Sequence, residues 1–354
     1  MKATRFAPSP TGDDIHLGNL RVAVLNYNYA RVNKGVFVLR IEDTKNDRVV
    51  DACRQRIIDT LDSFDMSPDI VVFQSEHKQM HLDMARKLVS SGVLYERDGA
   101  VWCPEGEASY ADGVYGDIYG KTEPFVCIRS NGEPGFLFAN IMDDLMLMEK
   151  YDLHVIRGND HMANTLKQVW LCERMKRKAP SYESVPMIVG DDGKPLSKRD
   201  KAGTVGGLID MGISRECIYE YLLGLGNGKS PAHVDIVKLM DMNRKMLCEE
   251  DYFEKFPLMK PYWNAIRMHV RCYDDVLKFS YLWEAPEYKG NAELFGSLVE
   301  NLDCERPVDV WVGDRDRKRM YGMLREALCG VPYTLDLNLV VKMLPYKEVR
   351  KRLL

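Results

Sequence analysis

The sequence predicts an α/β fold with a doubly wound, mostly parallel sheet, a short inserted α+β segment and an all-α C-terminal domain. Apolar strands alternate with amphipathic helices through residues 1–93 and again through residues 136–226. Residues 94–135 instead show short strands around Gly-containing turns, and residues 227–354 show helical periodicity alone. These ranges are the predicted α/β domain in two halves, its insertion and the helical domain.

The strand–helix alternation of the first half is regular. In chain order it predicts a strand over residues 4–7, a helix over 19–32, a strand over 36–41, a helix over 49–64, a strand over 70–73 and a helix over 76–88. Residues 36–41 are almost all apolar, which is typical of a parallel strand covered on both faces. Such a repetition implies right-handed crossovers between parallel strands.

The remaining predicted elements are shorter. They are strands over residues 94–97, 100–103 and 125–129 in the insertion, a strand over 153–157, a helix over 162–176, a strand over 187–189 and a helix over 218–225. From about residue 234 onward, irregular amphipathic stretches predict further helices.

The composition is that of an ordinary globular protein. The 354 residues are 45% apolar and 29% charged, and the net charge of -4 neither requires nor excludes a nucleic-acid partner. The nine cysteines are scattered without a Cys-x-x-Cys pair, so we expect reduced thiols and no protein-bound zinc. Because there is no targeting pattern and no stretch of about 18 apolar residues, we expect a cytoplasmic protein without a membrane span.

A turn rich in Pro and Gly, residues 8–12, follows the first strand and leads to His16, Gly18 and Asn19 at a helix start. Free backbone N–H groups and the positive end of the helix dipole favour a phosphate at such a place. His16 could contact a triphosphate, and a glycine at position 18 lets a nucleoside approach the backbone closely. Taken alone, the pattern also fits a surface histidine in a Pro/Gly loop.

Residues 194–199 form a basic stretch that contains Lys198 and follows a Gly-containing turn. A loop of this kind can grip a triphosphate and stabilise the departing pyrophosphate. Alone it fits a solvated basic loop as well. Its place after a late strand of an α/β fold whose first loop carries His-x-Gly favours a nucleotide site.

Several longer signatures occur in one order along the chain. They are residues 5–12, 39–44, 74–76, 139–140, 143–144, 155–161 and 196–199. On these residues the chain resembles the class I aminoacyl-tRNA synthetases and, among them, the glutamyl-tRNA synthetases. The resemblance covers roughly residues 1–226.

The resemblance implies a Rossmann-like catalytic domain that uses ATP with Mg²⁺ to form glutamyl-adenylate and passes the glutamyl group to the 3′-terminal adenosine of tRNA. Glutamate and tRNA are thus the implied partners, and a monomer is expected. The insertion at residues 94–135 would be a shortened acceptor-binding segment, and residues 227–354 would form the tRNA stem and anticodon side. Whether glutamine-specific tRNA is charged as well stays open.

The resemblance also implies roles for individual residues. The implied catalytic residues are His16 and Lys198. The implied ATP-binding residues are Pro8, His16, Gly18, Asn19, Leu196, Ser197 and Lys198. The implied glutamate-binding residues are Arg5, Ser9, Glu42, Phe136, Asn140 and Arg157. Guanidinium groups match carboxylates bidentately, which fits an acidic amino acid, and no resident metal ion is expected.

Three positions depart from the resembled pattern. One extra residue precedes His16, Phe136 stands where a tyrosine is usual, and Pro195 replaces the first lysine of the phosphate loop. Phe136 lacks a hydroxyl that would meet the substrate, and one hydrogen bond to a charged group is worth about 1.5–3 kcal/mol. We therefore expect weaker or altered glutamate recognition.

Other functions stay open at this point. A paralogue could activate glutamate and attach it to a modified tRNA base, although such relatives typically end soon after the phosphate loop and carry a cysteine-rich zinc site. A non-catalytic tRNA-binding regulator would have no need of intact active-site residues. A nucleotidyltransferase of the wider superfamily would lack the signatures at residues 40–44 and 155–161.

Overall fold

Two compact units make up the part of the chain that the computed structural model describes. The described residues are 1–10, 15–43, 49–190, 193, 203–225, 228–247, 249–287, 292–300, 302–313, 316–331 and 334–354. One unit comprises Met1–Ile209 with Arg215–Leu239, and the other comprises Asp210–Ser214 with Met240–Leu354.

Strands and helices alternate through most of the first 246 residues. In chain order they are β1 (Lys2–Phe6), α1 (Leu17–Val32), β2 (Val36–Ile41), α2 (Val49–Ser63), β3 (Ile70–Phe73), α3 (Lys78–Ser90), β4 (Tyr95–Arg97), β5 (Ala100–Cys103), β6 (Gly106–Asp112), β7 (Gly116–Thr122), β8 (Phe125–Ile128), α4 (Phe136–Met148), β9 (Asp152–Gly158), α5 (Met162–Arg174), β10 (Ser181–Val185), β11 (Ile188–Val189), α6 (Val205–Asp210), α7 (Arg215–Gly224), β12 (Ala232–His233) and α8 (Ile236–Met246). A 3-10 helix, Gln74–His77, leads directly into α3.

The described elements after residue 246 are helical. They are α9 (Glu249–Lys255), α10 (Trp263–Ile266), α11 (Tyr273–Leu277), α12 (Ala292–Glu300), α13 (Val308–Val312), α14 (Arg317–Cys329), α15 (Leu337–Met343) and α16 (Tyr346–Leu353), together with short 3-10 turns. The predicted all-α C-terminal domain is therefore confirmed.

The central sheet has seven strands in the order β3-β2-β1-β9-β10-β6-β7. Neighbouring strands are parallel except for β6 and β7, which form an antiparallel hairpin. β1 lies inside the sheet, where Ala3 pairs with Val36 of β2 on one side and with Leu153 of β9 on the other. The predicted α/β fold with a parallel sheet is confirmed.

Apolar side chains from strands and helices share the core beneath this sheet. Val38 and Val155 are fully buried and pack in one cluster with Leu147 of α4 and Val169 of α5. Burying a side chain of this size contributes about 1.5–3 kcal/mol. The order of the strands, which brings β2 and β9 beside β1, is thus supported by helices that bury their apolar residues against it.

The insertion predicted at residues 94–135 contains β4 to β8. β4, β5 and β8 form a three-stranded antiparallel sheet and correspond to the three predicted strands. The sequence does not predict β6 and β7, because small and polar residues alternate there without an apolar run. This hairpin joins the central sheet through Asp112 and Tyr182. Gly106 packs on Trp170 of α5, where a Cβ atom would lie only 2.1 Å from the indole ring.

The strand beside β9 is β10, which the sequence does not predict. Its residues include two serines and a glutamate between Pro180 and Pro186, so no apolar run marks it. The predicted strand over residues 187–189 appears as the shorter β11, which pairs with β12 instead of joining the central sheet. The segment Arg215–Leu239 belongs to the first unit, which therefore extends beyond the predicted boundary at residue 226.

The second unit has an apolar core of its own. Trp263 is 8% exposed, and its ring centroid lies 5.1 Å from that of Tyr252. Phe295, Leu324 and Val340 are fully buried in the same cluster. Within this unit, aromatic residues such as Trp263 therefore serve packing.

Burial also governs the cysteines. The eight described cysteines are free thiols, and seven of them are buried. Burial raises the pKa of Cys103 and of Cys172 to about 12, so these thiols stay protonated. Among the described helices, none is both long enough and apolar enough to cross a membrane.

Candidate active site

A cleft of about 400 Å³ opens where the parallel strands β1, β2 and β9 end. The carboxyl ends of neighbouring parallel strands are where open α/β sheets bind their ligands. Ten of the predicted site residues line it, namely Arg5, Pro8, Ser9, His16, Gly18, Asn19, Glu42, Phe136, Asn140 and Arg157. The other predicted residues, Leu196, Ser197 and Lys198, lie outside the described residues.

The loops after β1 and β2 are joined by a backbone hydrogen bond. The N–H of Glu42 donates to the carbonyl of Pro8 at 3.0 Å. This bond brings the loop that carries Ser9 against the first residue after β2. Two segments that are far apart in sequence therefore share one wall of the cleft.

His16 caps helix α1 at the part of the cleft that Gly18 and Asn19 line. Its Nδ1 accepts a hydrogen bond from the backbone N–H of Gly18 at 3.1 Å. An accepting Nδ1 assigns the ring proton to Nε2, which makes Nε2 a donor. A Cβ atom at position 18 would lie 3.2 Å from this Nδ1, so the close approach of ring and backbone favours glycine.

The loop before α1 is braced by residues that follow the predicted phosphate loop. The N–H of Val205 donates to the carbonyl of Ile15 at 3.2 Å, and His16 forms an antiparallel bridge with Thr204. The cap of α1 is thus held from two directions. Unpaired N–H groups and the helix dipole at such an N-terminus attract anions.

Arg5 is buried and paired with a buried carboxylate on α4. Its Nε and Nη2 donate to the two carboxylate oxygens of Asp144 at 3.0 and 3.1 Å, and Nη2 also donates to Asn140 Oδ1 at 3.3 Å. Both charged side chains are at most 3% exposed. The bidentate pair therefore fixes the guanidinium of Arg5 at the floor of the cleft.

Arg40 lies behind Arg5 and shares its partner. Its Nη1 donates to Asp144 Oδ1 at 2.5 Å, and its Nη2 donates to Glu42 Oε1 at 3.3 Å. Burial opposes the charge on Arg40, but three nearby carboxylates outweigh burial and raise its pKa above the usual value. A strong cation held in place in this way orients Glu42 towards the cleft it lines.

Asn140 connects the two halves of the polar floor. Its Nδ2 donates to Glu42 Oε1 at 2.6 Å, and its Oδ1 accepts from Gln168 Nε2 at 3.0 Å. Among the described residues, no donor is bonded to Glu42 Oε2. The carboxylate of Glu42 therefore retains acceptor capacity for a ligand, such as an ammonium group.

Arg157 has a different environment from the other buried arginines. It is 6% exposed, its Nη2 donates to Thr165 Oγ1 at 2.5 Å and to Gln168 Oε1 at 2.8 Å, and its guanidinium lies 5.2 Å from the ring centre of Tyr182. Within the described part of the chain, no carboxylate forms an ion pair with it. Burial lowers its pKa, yet an arginine stays charged. An uncompensated cation at the wall of a cleft favours a bound anion.

Phe136 and His161 lie at the rim of the cleft. Phe136 is 38% exposed, and its ring centroid is 6.0 Å from that of His161. Burial lowers the pKa of His161 below its usual value, with a smaller opposing contribution from Asp160. The imidazole is therefore neutral at physiological pH and adds no charge beside Arg157.

Several residues of the site were not assigned a role from the sequence. They are Arg21, Arg40, Asp144, Gln168 and His161. Arg40 and Arg21 carry a usable signal, because each is a charged residue in a segment of buried apolar positions. Arg21 is 1% exposed, lines the cleft and donates to the carbonyl of Pro186 at 2.8 Å. Gln168 has no comparable signal, since a lone glutamine on an amphipathic helix is commonplace.

Comparisons with known proteins identify the family of this chain. The family model described as "tRNA synthetases class I (E and Q), catalytic domain" matches residues 2–100 and 101–256. A protein of Nitratiruptor sp. named Glutamate--tRNA ligase 1 is 32% identical over 70% of this chain and 73% of its own length. Glutamate--tRNA ligase 2 of Neorickettsia sennetsu is 35% identical over 68% of this chain and 64% of its own length. Glutamate--tRNA ligase 1 of Campylobacter concisus is 30% identical over 85% and 87%.

Solved structures have the same fold. A crystal structure of a glutamate tRNA ligase from Elizabethkingia meningosepticum in complex with its amino acid matches with a TM-score of 0.70 at 21% identity, over 99% of this chain and 98% of that chain. Glutamate-tRNA synthetase from Elizabethkingia anophelis matches with a TM-score of 0.71 at 20% identity, over 100% and 99%. From the family model and the sequence relatives together, the chain belongs to the class I tRNA synthetases for E and Q.

Proposed function

We propose that this chain is an ATP-dependent glutamate–tRNA ligase. It activates glutamate as glutamyl-adenylate and transfers the glutamyl group to the 3′-terminal adenosine of tRNA. Family membership and the names of the relatives support this function. The single observation that carries the choice of amino acid is the buried guanidinium of Arg157, which lines the cleft without a carboxylate partner among the described residues.

Arg157 is best matched to the side-chain carboxylate of glutamate. The α-carboxylate loses its negative charge when it becomes a mixed anhydride with AMP. The side-chain carboxylate keeps its charge throughout the reaction, so it can compensate a buried cation at every step. Glutamine would leave that cation uncompensated, which gives discrimination between the two amino acids.

The α-ammonium group of glutamate needs hydrogen-bond acceptors. Glu42, whose Oε2 is not engaged by a described donor, is proposed to bind the α-ammonium together with Ser9. Asn140 supplies a neutral hydrogen-bonding group between them, and Arg5 supplies a second cation whose charge Asp144 already balances. In this arrangement the charge of Arg157 faces one end of the bound glutamate, and the carboxylate of Glu42 faces the other.

ATP is proposed to lie across the N-terminus of α1. Pro8, Gly18 and Asn19 line that part of the cleft, and His16 offers an Nε2–H donor to a phosphate oxygen. Mg²⁺ arrives with ATP as part of the substrate. Leu196, Ser197 and Lys198 are proposed to complete the phosphate site, in line with the sequence.

The chemistry consists of two displacements. A glutamate α-carboxylate oxygen attacks the α-phosphorus of ATP, the new O–P bond forms, and pyrophosphate leaves with the electron pair of the broken bond. A ribose hydroxyl of tRNA then attacks the acyl carbon, and AMP leaves. The protein's part is positioning and electrostatic stabilisation of the phosphate charge by His16 and Lys198.

The remaining roles rest on the resemblance. Residues 94–135 are proposed to contact the acceptor end of tRNA, and residues 227–354 are proposed to contact its stem and anticodon side. A monomeric state and a cytoplasmic location stay predictions.

The test is charging of unfractionated tRNA with radiolabelled glutamate by the full chain. We expect ATP-dependent label that mild alkali releases and that is lost when the 3′-terminal ribose is oxidised with periodate beforehand. Label that survives periodate treatment would instead indicate transfer to an internal base, as in the modification paralogue. No label on any tRNA would contradict both enzymes and leave a tRNA-binding regulator.

A further inference from the structure

Two histidines and an aspartate, all residues that commonly bind metal ions, lie close together outside the cleft. His77 Nδ1 lies 3.0 Å from Asp143 Oδ1, and His81 Nε2 lies 2.8 Å from the same oxygen. All three ligand atoms lie within 4.8 Å of one another. None of these residues is among those that line the cleft, so the cluster is separate from the site described above.

We propose that His77, His81 and Asp143 form a binding site for a divalent transition-metal cation of the zinc type. Two imidazole nitrogens and one carboxylate oxygen are ligands that Zn²⁺, Co²⁺ and Ni²⁺ accept, with water completing the coordination. Mg²⁺ and Ca²⁺ prefer sets made of oxygen ligands and are poorly served here. The site does not depend on the proposed ligase activity.

The local secondary structure brings the two histidines together. His77 ends the 3-10 helix that leads into α3, and His81 lies four residues further on, so both project from one face. Asp143 comes from α4, which packs against that face. The sequence predicts no resident metal ion and gives no signal for this cluster, because its ligands come from separate helical segments and include no cysteine.

Two of the three separations between ligand atoms are close to those of a zinc site, and the distance between the two ring nitrogens is within 4.8 Å. Zinc–nitrogen and zinc–oxygen bonds of about 2.0–2.2 Å at tetrahedral angles separate ligand atoms by about 3.3 Å. The separations of 2.8 and 3.0 Å are those of hydrogen bonds from both rings to one oxygen. A cation can replace these two bridging protons if the ligands move apart by about half an ångström.

The surroundings support a cation at this place. Gln74 Nε2 donates to Asp143 Oδ2 at 2.8 Å, which orients the carboxylate and leaves Oδ1 to the metal. His77 has a side chain that is 22% exposed, so an ion and a water ligand can enter past it. Asp143 itself is 1% exposed.

The charge of the neighbourhood also allows a divalent ion. The connected buried groups are two arginines, Arg5 and Arg40, and three carboxylates, Glu42, Asp143 and Asp144. With neutral histidines, this set carries one net negative charge. Arg157 is joined to this set only through the neutral side chains of Gln168 and Asn140, so the ion-paired groups next to the cluster are negative before a divalent cation binds.

The lack of one hydrogen bond limits the affinity of the proposed site for a metal ion. His81 Nδ1 is buried and has no hydrogen-bond partner within the described residues. Metal-bound histidines usually donate their other ring N–H to an acceptor, and loss of such an outer partner weakens binding about 10- to 100-fold. We therefore expect a dissociation constant in the micromolar range, weaker than that of a structural zinc site.

The test is titration of the full chain with Co²⁺ in the absence of nucleotide, followed by visible absorption. We expect one Co²⁺ per chain with d–d bands, no thiolate charge-transfer band, and displacement by Zn²⁺. In His77→Gln, which keeps a donor towards Asp143 but removes the ring nitrogen, the affinity should fall by at least about tenfold. The exposed His269→Gln variant is the matched control and should bind as the wild type does.

A second variant separates loss of metal binding from loss of folding. Gln74→Leu leaves all three ligands in place and removes only the donor to Oδ2, so it should weaken binding about 10- to 100-fold while circular dichroism stays unchanged. Absence of d–d bands up to millimolar Co²⁺ would overturn the proposal. Bands that persist unchanged in folded His77→Gln, or a thiolate band that places the ion on cysteines, would overturn it as well.

Discussion

Arg5 and Arg157 line the same cleft, but among the residues that the structure describes only Arg5 is paired with a buried carboxylate. Arg5 donates to both carboxylate oxygens of Asp144, whereas Arg157 donates to the neutral side chains of Thr165 and Gln168. The charge of Arg5 is therefore balanced by Asp144, whereas no carboxylate in the described part of the chain forms an ion pair with Arg157. We infer that Arg5 shapes the floor of the cleft and that Arg157 is its anion-binding group.

Asp144 is expected to be critical for stability. Asp144→Asn keeps the size of the side chain but leaves Arg5 and Arg40 without their shared counterion, so the free energy of unfolding should fall by about 3–5 kcal/mol. Urea unfolding followed by far-ultraviolet circular dichroism measures this. Asp83→Asn, in an exposed pair with Arg86, is the control and should cost at most about 1 kcal/mol. Equal losses in the two variants would contradict the account.

His16 should contribute to helix capping and to catalysis through different atoms. His16→Asn keeps a side-chain acceptor for the N–H of Gly18, because asparagine is a good N-cap, but it removes the Nε2–H donor. We expect a melting temperature near that of the wild type and a fall in kcat of about 10²- to 10³-fold for tRNA charging. His16→Ala should lose the same activity and also about 0.5–2 kcal/mol of stability. An active His16→Asn enzyme would argue against contact with the phosphates.

Phe136 offers a gain-of-function test. Phe136→Tyr places a hydroxyl at the half-exposed rim of the cleft, where the resembled family has one. A hydrogen bond to a charged group of the substrate contributes about 1.5–3 kcal/mol, so the KM for glutamate should fall roughly 10- to 150-fold with little change in melting temperature. Phe136→Leu serves as the control for altered packing. An unchanged or higher KM in Phe136→Tyr would show that position 136 does not reach the amino acid.

His161 should titrate below the ordinary histidine range. Burial lowers its pKa in the folded protein, so its neutral form adds stability that is fully present above the unfolded value of about 6.5 and is lost as the pH falls through the folded value. Proton NMR of the seven histidines, with His161→Gln to assign the signal, measures this pKa. A value at or above about 6.5 would contradict a half-buried imidazole that is neutral at physiological pH.

The sequence predicts the sheet and the site better than it predicts the insertion. β2 is a nearly continuous apolar run, whereas β1 and β9 mix apolar and polar residues. Arg5 and Arg157 lie near the carboxyl ends of β1 and β9, and Glu42 follows β2 directly, so the parallel order of these strands brings the three side chains to one edge. β6 and β10 lack an apolar run, because β6 lies near the sheet edge and β10 has polar residues between prolines. Their place in the sheet depends on tertiary packing, such as that of Gly106 on Trp170, which no local pattern records.

The polar network beneath the cleft was not foreseeable in the same way. Asp143 and Asp144 are adjacent in the sequence, yet Asp144 faces Arg5 and Arg40 while Asp143 faces His77 and His81. The rotation of α4 about its axis, relative to the neighbouring elements, decides which carboxylate contacts the arginines and which contacts the histidines. That rotation is set by the apolar side chains of α4, and it becomes visible only in the folded chain.

The most direct test of the account is the kcat/KM for glutamate of Arg157→Gln in tRNA charging, with Arg86→Gln on the exposed face of α3 as the control. Glutamine is shorter and uncharged, so this variant removes the guanidinium charge together with its hydrogen bonds to Thr165 and Gln168. The account predicts a loss of about 1.5–3 kcal/mol in substrate recognition, which is roughly 10- to 150-fold in kcat/KM, carried mainly by KM. The free energy of unfolding should change by less than about 1 kcal/mol, because a buried uncompensated cation is removed together with its hydrogen bonds. A kcat/KM within about twofold of the wild type would contradict the claim that Arg157 holds the substrate's carboxylate.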